Sequence, residues 1–134
     1  MDAIQQQALW AIAVEHYEAA QLCTQQGWHN VGAACRYYAV YTAMWLALGD
    51  PPTGQGSHAG ILQHFAPGPW RQPPAPLDRT LTRAIRHLYT ARVRAQYLGE
   101  RLTTLDSVEG LNTTRQVLQL VARTFSLSHG GITP

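Results

Sequence analysis

The sequence predicts an all-α protein, an antiparallel up-and-down bundle of four or five helices. Alanine, leucine and glutamine are abundant whereas valine and isoleucine are sparse, a composition that favours helices. No stretch alternates for long between apolar and polar residues, as a half-buried strand would. Short or medium loops join the helical segments, and an antiparallel bundle is the natural architecture for helices connected in this way.

The first helix is expected from about Asp2 to Gln26, because Asp2 can act as its N-cap and Gly27 is a natural stop. One stripe at helical spacing is expected to face the core. The stripe consists of Leu9, Ile12, His16, Ala19 and Cys23. A histidine in such a stripe is more typical of a hydrogen-bonded interior residue than of a metal ligand.

Proline- and glycine-rich segments separate the other helices. The second helix is expected over about 30–48, and Ser57 can cap a short third helix that runs to about Phe65. After a proline-rich loop, the fourth helix is expected over about 77–100 and the fifth over about 107–126. Residues 1–127 are expected to form a single domain, followed by a flexible tail over 128–134.

Composition bounds the possible functions. Of the 134 residues, 46% are hydrophobic and only 13% are charged, which suggests that another subunit covers part of the surface. All ten basic residues are arginine, but a net charge of +2 indicates a nucleic-acid-binding protein only if the arginines cluster. No segment resembles a signal peptide or a membrane span, so we expect a cytoplasmic protein with no membrane partner.

No metal or cofactor is expected. Cys23 and Cys35 have no further ligands at useful spacing and are interpreted as buried small hydrophobes in a reducing compartment. No His-x-x-x-His or Cys-x-x-Cys pattern occurs. The glycines of residues 49–56 follow no predicted strand and precede no lysine, so they do not indicate a phosphate-binding loop.

A single arginine, Arg36, interrupts the apolar segment AACRYYAVYTAMWLALG of the second helix. One apolar side of this helix is expected to face the bundle. That side comprises Val31, Ala34, Cys35, Tyr38, Thr42 and Trp45. Arg36 lies on the other side with Val40, Ala43 and Ala47. Because its side chains are small, this side is expected to meet either another helix or a second subunit, and Val40, Ala43 and Ala47 are assigned to a dimer interface. Arg36 is expected either to meet an anion near that interface or to extend past its neighbours to the surface.

The fourth helix carries a second arginine pattern. Four arginines fall on one side of it, opposite an apolar core side. They are Arg79, Arg83, Arg86 and Arg94. This basic stripe is either a solvated face or a track for phosphates, which arginine clusters bind well. Arg92 departs from the stripe and points towards the apolar side.

Several segments, taken in order, resemble the HEPN (higher eukaryotes and prokaryotes nucleotide-binding) family. AACRYYAVYTAMWLALG resembles its second helix, and SHAGI followed by Phe65 resembles its short Thr/Ser-His-Ser-Gly-Val segment. Arg92, Ala95 and Tyr97 resemble its Arg-x-x-Ala-Asp-Tyr sequence, and VEGLNTTRQVLQLVARTFSL resembles its last helix. The resemblance implies a dimeric helical bundle, often a bacterial toxin–antitoxin ribonuclease paired with a minimal nucleotidyltransferase, or a phage-defence protein.

One departure from the HEPN pattern concerns catalysis. Active members carry an arginine followed, after four to six residues, by a histidine. Arg36 occupies the arginine position, but Tyr41, Thr42 and Ala43 stand where the histidine is expected. RNA cleavage by 2′-hydroxyl attack needs a proton acceptor and a donor, which an alanine cannot supply. If the protein is active, Arg36 and His58 are the candidate catalytic residues, with His87 as a further substitute histidine.

Three functions remain open. The first is a non-catalytic, dimeric module that binds a nucleotide, an RNA or a nucleotidyltransferase. Its ligand-binding residues would be Arg36, Arg92, Arg94, Tyr37 and Tyr97, with arginines on phosphate and tyrosines on bases. The second is a divergent ribonuclease toxin with a non-standard acid or base. The third is a helical interaction or scaffold protein in which Arg36 pairs with Glu15, Glu18 or Asp106.

Overall fold

The computed structural model describes residues 1–49 and 58–132, and confirms the all-α helical bundle. Five helices lie in these ranges: α1 (Ala3–Gln26), α2 (His29–Leu48), α3 (His58–Phe65), α4 (Arg79–Tyr97) and α5 (Thr104–Phe125). The expected N-cap at Ser57 falls outside the described residues. No helix in the described ranges is long and apolar enough to cross a bilayer.

Helix α1 begins and ends where the sequence predicts. Asp2 caps it through a capping box with Gln5, and Gly27 ends it in a left-handed conformation, with a φ of 76°. The predicted inward stripe is largely wrong, because only Cys23 of that set is buried. The buried residues are Trp10, Ala13, Val14, Tyr17, Ala20 and Cys23. The two large aromatic rings occupy the core and rotate Ile12 outwards, where it is half-exposed.

Helix α2 is the central element and packs against all four other helices. Its buried side is the one that carries Arg36, while Val31, on the side predicted to face the bundle, is exposed. Val40, Ala43 and Ala47 are covered by the chain's own helices. Their assignment to a dimer interface therefore has to be corrected, because they have no surface to offer a second copy. Small residues here allow helices of the same chain to approach closely.

Helices α4 and α5 begin at capping residues. Asp78 accepts hydrogen bonds from the backbone N–H groups of Thr80 and Leu81, so α4 starts two residues later than the predicted 77. Thr103 and Asp106 form a reciprocal capping box, so α5 starts at Thr104 rather than at about 107. The Thr-x-x-Asp spacing is a sequence signal for this earlier start.

The C-terminal segment differs from the predicted flexible tail over residues 128–132. Ile132 is buried in the main core, and His129 Nε2 lies 2.9 Å from Glu18 Oε1 on α1. A turn at Gly130 and Gly131 joins the two contacts. Apolar burial of Ile132 thus holds this segment against the bundle. Residues 133 and 134 lie outside the described ranges.

The α4 N-cap gives a stability prediction. Asp78→Ala should lower the free energy of unfolding by about 1 kcal/mol, because backbone donors in the first turn lose their acceptor. Asp78→Ser is the matched control: it retains an acceptor oxygen and should lose clearly less. Urea denaturation of both variants measures the difference, and equal losses would contradict a capping role for Asp78.

Candidate functional site

Arg36 is enclosed where α2 and α5 meet. The residue is 1% exposed, and its Nη1 donates to Ser107 Oγ at 3.3 Å while its Nη2 donates to the His29 carbonyl oxygen at 3.4 Å. Two glycines make room for it: a Cβ atom at Gly110 would lie 2.7 Å from Arg36 Nε, and one at Gly32 would lie 2.8 Å from Nη1. We call Gly32, Gly110, Ser107 and the His29 carbonyl the arginine cradle.

A hydrogen-bond chain continues from the cradle. His29 Nδ1 lies 2.6 Å from Ser107 Oγ, and His29 Nε2 lies 3.4 Å from Thr104 Oγ1. Because Ser107 accepts a hydrogen bond from Arg36, its own hydroxyl hydrogen is available to His29. A serine beside a histidine can be a nucleophile, but Ser107 is completely buried and no substrate can reach it. The chain therefore fixes the position of Arg36.

Arg36 is a buried cation whose hydrogen bonds go to neutral groups, the Ser107 hydroxyl and the His29 carbonyl. Burial lowers the pKa of Arg36, and the charge of Asp106 opposes that shift. No carboxylate among the described residues forms an ion pair with the guanidinium. The Asp106 carboxylate instead accepts hydrogen bonds from Thr103 N and Oγ1, at 2.7 and 2.9 Å. Those bonds, the backbone one first, lower the pKa of Asp106.

Arg92 occupies a different, aromatic environment. It is 8% exposed, and its guanidinium carbon lies 5.5 Å from the centroid of Tyr37 and 5.0 Å from that of Tyr38. Its Nε is buried and has no hydrogen-bond partner among the described residues. Both distances are within the range of a cation–π interaction. Burial is the main factor that raises the pKa of Tyr37, so the phenol stays neutral beside the arginine.

An aromatic cavity of about 340 Å³ opens beside the Tyr37 ring, between α2, α3 and α4. The centroids of Tyr37 and Tyr89 are 5.5 Å apart, and Arg86 reaches the lining from α4. The lining residues are Tyr37, Met44, Leu62, Gln63, Ile85, Arg86, Tyr89 and Thr90. Apolar walls with few polar groups are typical of a site for a small molecule.

The structure brings together only part of the predicted ligand site. Tyr37 and Arg92 are in contact, whereas the cradle encloses Arg36. Arg94 donates from Nε to Glu100 Oε2 at 2.6 Å, and this bond raises the pKa of Arg94. Tyr97 is exposed near the end of α4. Neither Arg94 nor Tyr97 lines the aromatic cavity.

The predicted basic stripe lies on the outer side of α4. Arg79, Arg83 and Arg86 are exposed, and Arg94 is partly buried. Arg86 belongs both to the stripe and to the wall of the aromatic cavity. The stripe thus reaches the mouth of the cavity.

The sequence does not predict His29 and Ser107, the two side chains that extend the hydrogen-bond chain from Arg36, nor most of the residues that line the cavity. His29 precedes Arg36 by seven residues and so lies on the same side of α2, a spacing that could have identified it. Ser107 is contributed by another helix, and no local pattern indicates its role. Among the candidate catalytic histidines, the side chain of His58 falls outside the described part of the structure. His87 is exposed on α4.

No group of three or more possible metal ligands occurs among the described side chains.

Fold and site together define an all-helical bundle with an enclosed arginine and a separate aromatic cavity. No family model, no curated protein and no solved structure matches the chain.

Proposed function

We propose that the protein binds a nucleotide, free or within an RNA strand, with the base in the aromatic cavity and the phosphates on the arginines of α4. The observation that supports this most is the position of Arg86, which lines the cavity and also belongs to the exposed basic stripe. An apolar aromatic recess beside arginines offers a nucleotide the two kinds of contact that it needs.

The cavity suits a base in size and chemistry. Its volume of about 340 Å³ is at the lower end of the roughly 300–1,000 Å³ that small-molecule sites occupy. Stacking of a base on an aromatic side chain stabilises binding by about 1–3 kcal/mol. Thr90 and Gln63 add polar groups at the wall that can hydrogen-bond a base edge.

Arg92 has a positioning role in this proposal. Its guanidinium lies beside Tyr37 and Tyr38 and holds the first of these rings against the cavity. Arg86 and its neighbour on the stripe, Arg83, bind the phosphates, because arginine binds phosphate oxygens with paired N–H donors.

Arg36 has a structural role in this proposal. A side chain that is 1% exposed cannot contact a phosphodiester, so the geometry gives no support to a ribonuclease built on Arg36. Of the three functions that the sequence left open, we keep the non-catalytic HEPN-like binding module as the hypothesis, with its ligand contacts in the aromatic cavity and not at Arg36. A minimal nucleotidyltransferase remains the partner that the resemblance suggests.

Isothermal titration with AMP and with a short oligoadenylate tests the proposal. Arg86→Ala should weaken binding about tenfold, the equivalent of about 1.4 kcal/mol, because a charge-assisted phosphate contact is lost. Tyr89→Ala should weaken it by a similar factor because a stacking surface is removed. The matched control is Arg123→Ala, which removes an exposed arginine on α5; this variant should bind as the parent does.

Three results would overturn the proposal: no binding of either ligand by the parent, binding unaffected by Arg86→Ala, or equal losses in Arg86→Ala and Arg123→Ala. The last of these would indicate an effect of net charge alone. Binding of the oligoadenylate but not of AMP would assign the site to RNA, since further phosphates would then be required.

A further inference from the structure

One end of the bundle exposes a group of large apolar side chains. Two belong to the N-cap position and the first turn of α2, two to the end of α4 and the residue after it, and two to the first turns of α5. They are Trp28, Val31, Tyr97, Leu98, Leu105 and Val108, and we call them the bundle-end surface. Large exposed apolar groups of this kind mark interaction sites.

Hydrogen bonds hold the three segments of this surface together. Asn30 Nδ2 donates to the carbonyl oxygens of Ala95 and Glu100, and Asn30 Oδ1 accepts from Leu102 N at 2.9 Å. His29 joins the start of α2 to α5 through Thr104 and Ser107. The six apolar side chains are therefore carried by one preformed framework.

The polar groups of this framework are already satisfied within the chain. Asn30 uses its oxygen and its nitrogen, the Asp106 carboxylate caps α5, and Arg94 pairs with Glu100. Covering the surface would leave none of these groups without a partner. The desolvation cost that usually opposes association is therefore small here.

The surface is close in size to half of a dimer interface. Its six side chains are between 52% and 70% exposed. Since an aromatic side chain offers about 150–250 Å² and an aliphatic one somewhat less, the six expose on the order of 600 Å². A specific interface buries about 800 Å² on each partner, so few additional rim residues are required.

Charges at the rim and a recess favour a partner with the same surface. Arg101 and Glu109 are exposed, have opposite charges and form no ion pair with other described residues. In a two-fold interface each patch meets its own copy, so Arg101 of one chain can face Glu109 of the other. A recess of about 420 Å³ beside Trp28 and Leu102 can receive an apolar side chain from the facing copy.

We propose that a second copy of this chain docks on the bundle-end surface through a two-fold interface. This dimer differs from the one that the sequence suggested, because Val40, Ala43 and Ala47 remain in the core of each copy. It is also independent of the nucleotide proposal, since no residue of the bundle-end surface lines the aromatic cavity.

Two aspartate substitutions test the proposal with little risk to folding. Leu105→Asp and Val31→Asp each place a carboxylate in the first turn of a helix, where the helix dipole favours negative charge. The matched control is Ile4→Asp, which also lies in the first turn of a helix and is 82% exposed. Ile4 begins the antiparallel neighbour of α2, so about 30 Å of helix separates it from the bundle-end surface.

Light scattering after size-exclusion chromatography, over a dilution series, gives the mass. The parent and Ile4→Asp should have twice the chain mass of 14.8 kDa, whereas Leu105→Asp and Val31→Asp should have that of a single chain. Circular dichroism should show the same helix content in all four proteins. A parent that is monomeric throughout, a dimer that survives both patch substitutions, or an equal loss in Ile4→Asp would each overturn the proposal.

Discussion

Arg36→Ala should lower the free energy of unfolding by about 3 kcal/mol, the largest loss expected from a single substitution at this site. The change leaves a cavity between α2 and α5, where the side chain is now fully enclosed. It also removes the donor to Ser107 Oγ and the donor to the His29 carbonyl oxygen. Chemical denaturation followed by circular dichroism measures the loss.

Two further variants separate packing from charge. Arg36→Met keeps most of the volume and removes the cost of burying a cation, so it should lose only about 1 kcal/mol. Arg123→Ala removes an exposed arginine and should stay within about 0.5 kcal/mol of the parent. If Arg36→Ala were as stable as Arg123→Ala, Arg36 would not be enclosed in solution and the arginine cradle would be wrong.

Gly110→Ala should destabilise the protein by about 2 kcal/mol, although the same change inside a helix normally stabilises it by about 1 kcal/mol. The new Cβ would lie 2.7 Å from Nε and 2.9 Å from Cδ of Arg36, and 3.3 Å from Cδ2 of Leu88. Because Arg36 is enclosed, these atoms cannot move aside without disturbing the packing of α2 on α5.

A double-mutant cycle makes this expectation specific to the arginine. In the Arg36→Ala background the space beside Gly110 is open, so Gly110→Ala should there become neutral or stabilising by up to about 1 kcal/mol. The measurement is the free energy of unfolding of the parent, both single variants and the double variant. An effect of Gly110→Ala with the same sign and size in both backgrounds would contradict the proposed contact.

The presence of the five helices in the described residues and the limits of α1 could be predicted because they depend on local signals. Asp2 and Gly27 lie at the two ends of α1 and supply a cap and a left-handed stop that need no tertiary context. The predicted start of α5, at about residue 107, is three residues late because the capping box of Thr103 and Asp106 starts the helix at Thr104. This capping box is a local signal that is visible in the sequence.

The sequence does not determine how each helix is rotated about its own axis, that is, which of its sides faces the core. α2 is apolar on more than one side, so periodicity alone does not say which side faces the other helices. From the sequence, the side with Val40 and Ala43 is expected to meet another helix or a second subunit, and in the structure it is buried in the centre of the bundle. The positions of the helices that pack on α2, which are tertiary information, decide between the two sides.

Only part of the candidate site could be predicted, because its residues too are brought together by tertiary packing. Tyr37 and Arg92 were both named from the sequence, and they are in contact. Arg36 was also named, but its burial follows from Gly32 and Gly110, which lie on two different helices. The cavity residues Met44, Leu62 and Tyr89 come from three helices. No spacing within one segment brings such residues together.

We propose that the aromatic cavity is the ligand site and that the arginine cradle holds Arg36 in a structural role. A ¹H–¹⁵N NMR titration with AMP tests it most directly, because it locates binding without altering the protein. We expect the amide signals of Gln63, Tyr89 and Thr90 to shift with increasing AMP, while those of His29, Ser107 and Gly110 stay in place. Shifts confined to His29, Ser107 and Gly110 would contradict it and return Arg36 to the ligand site.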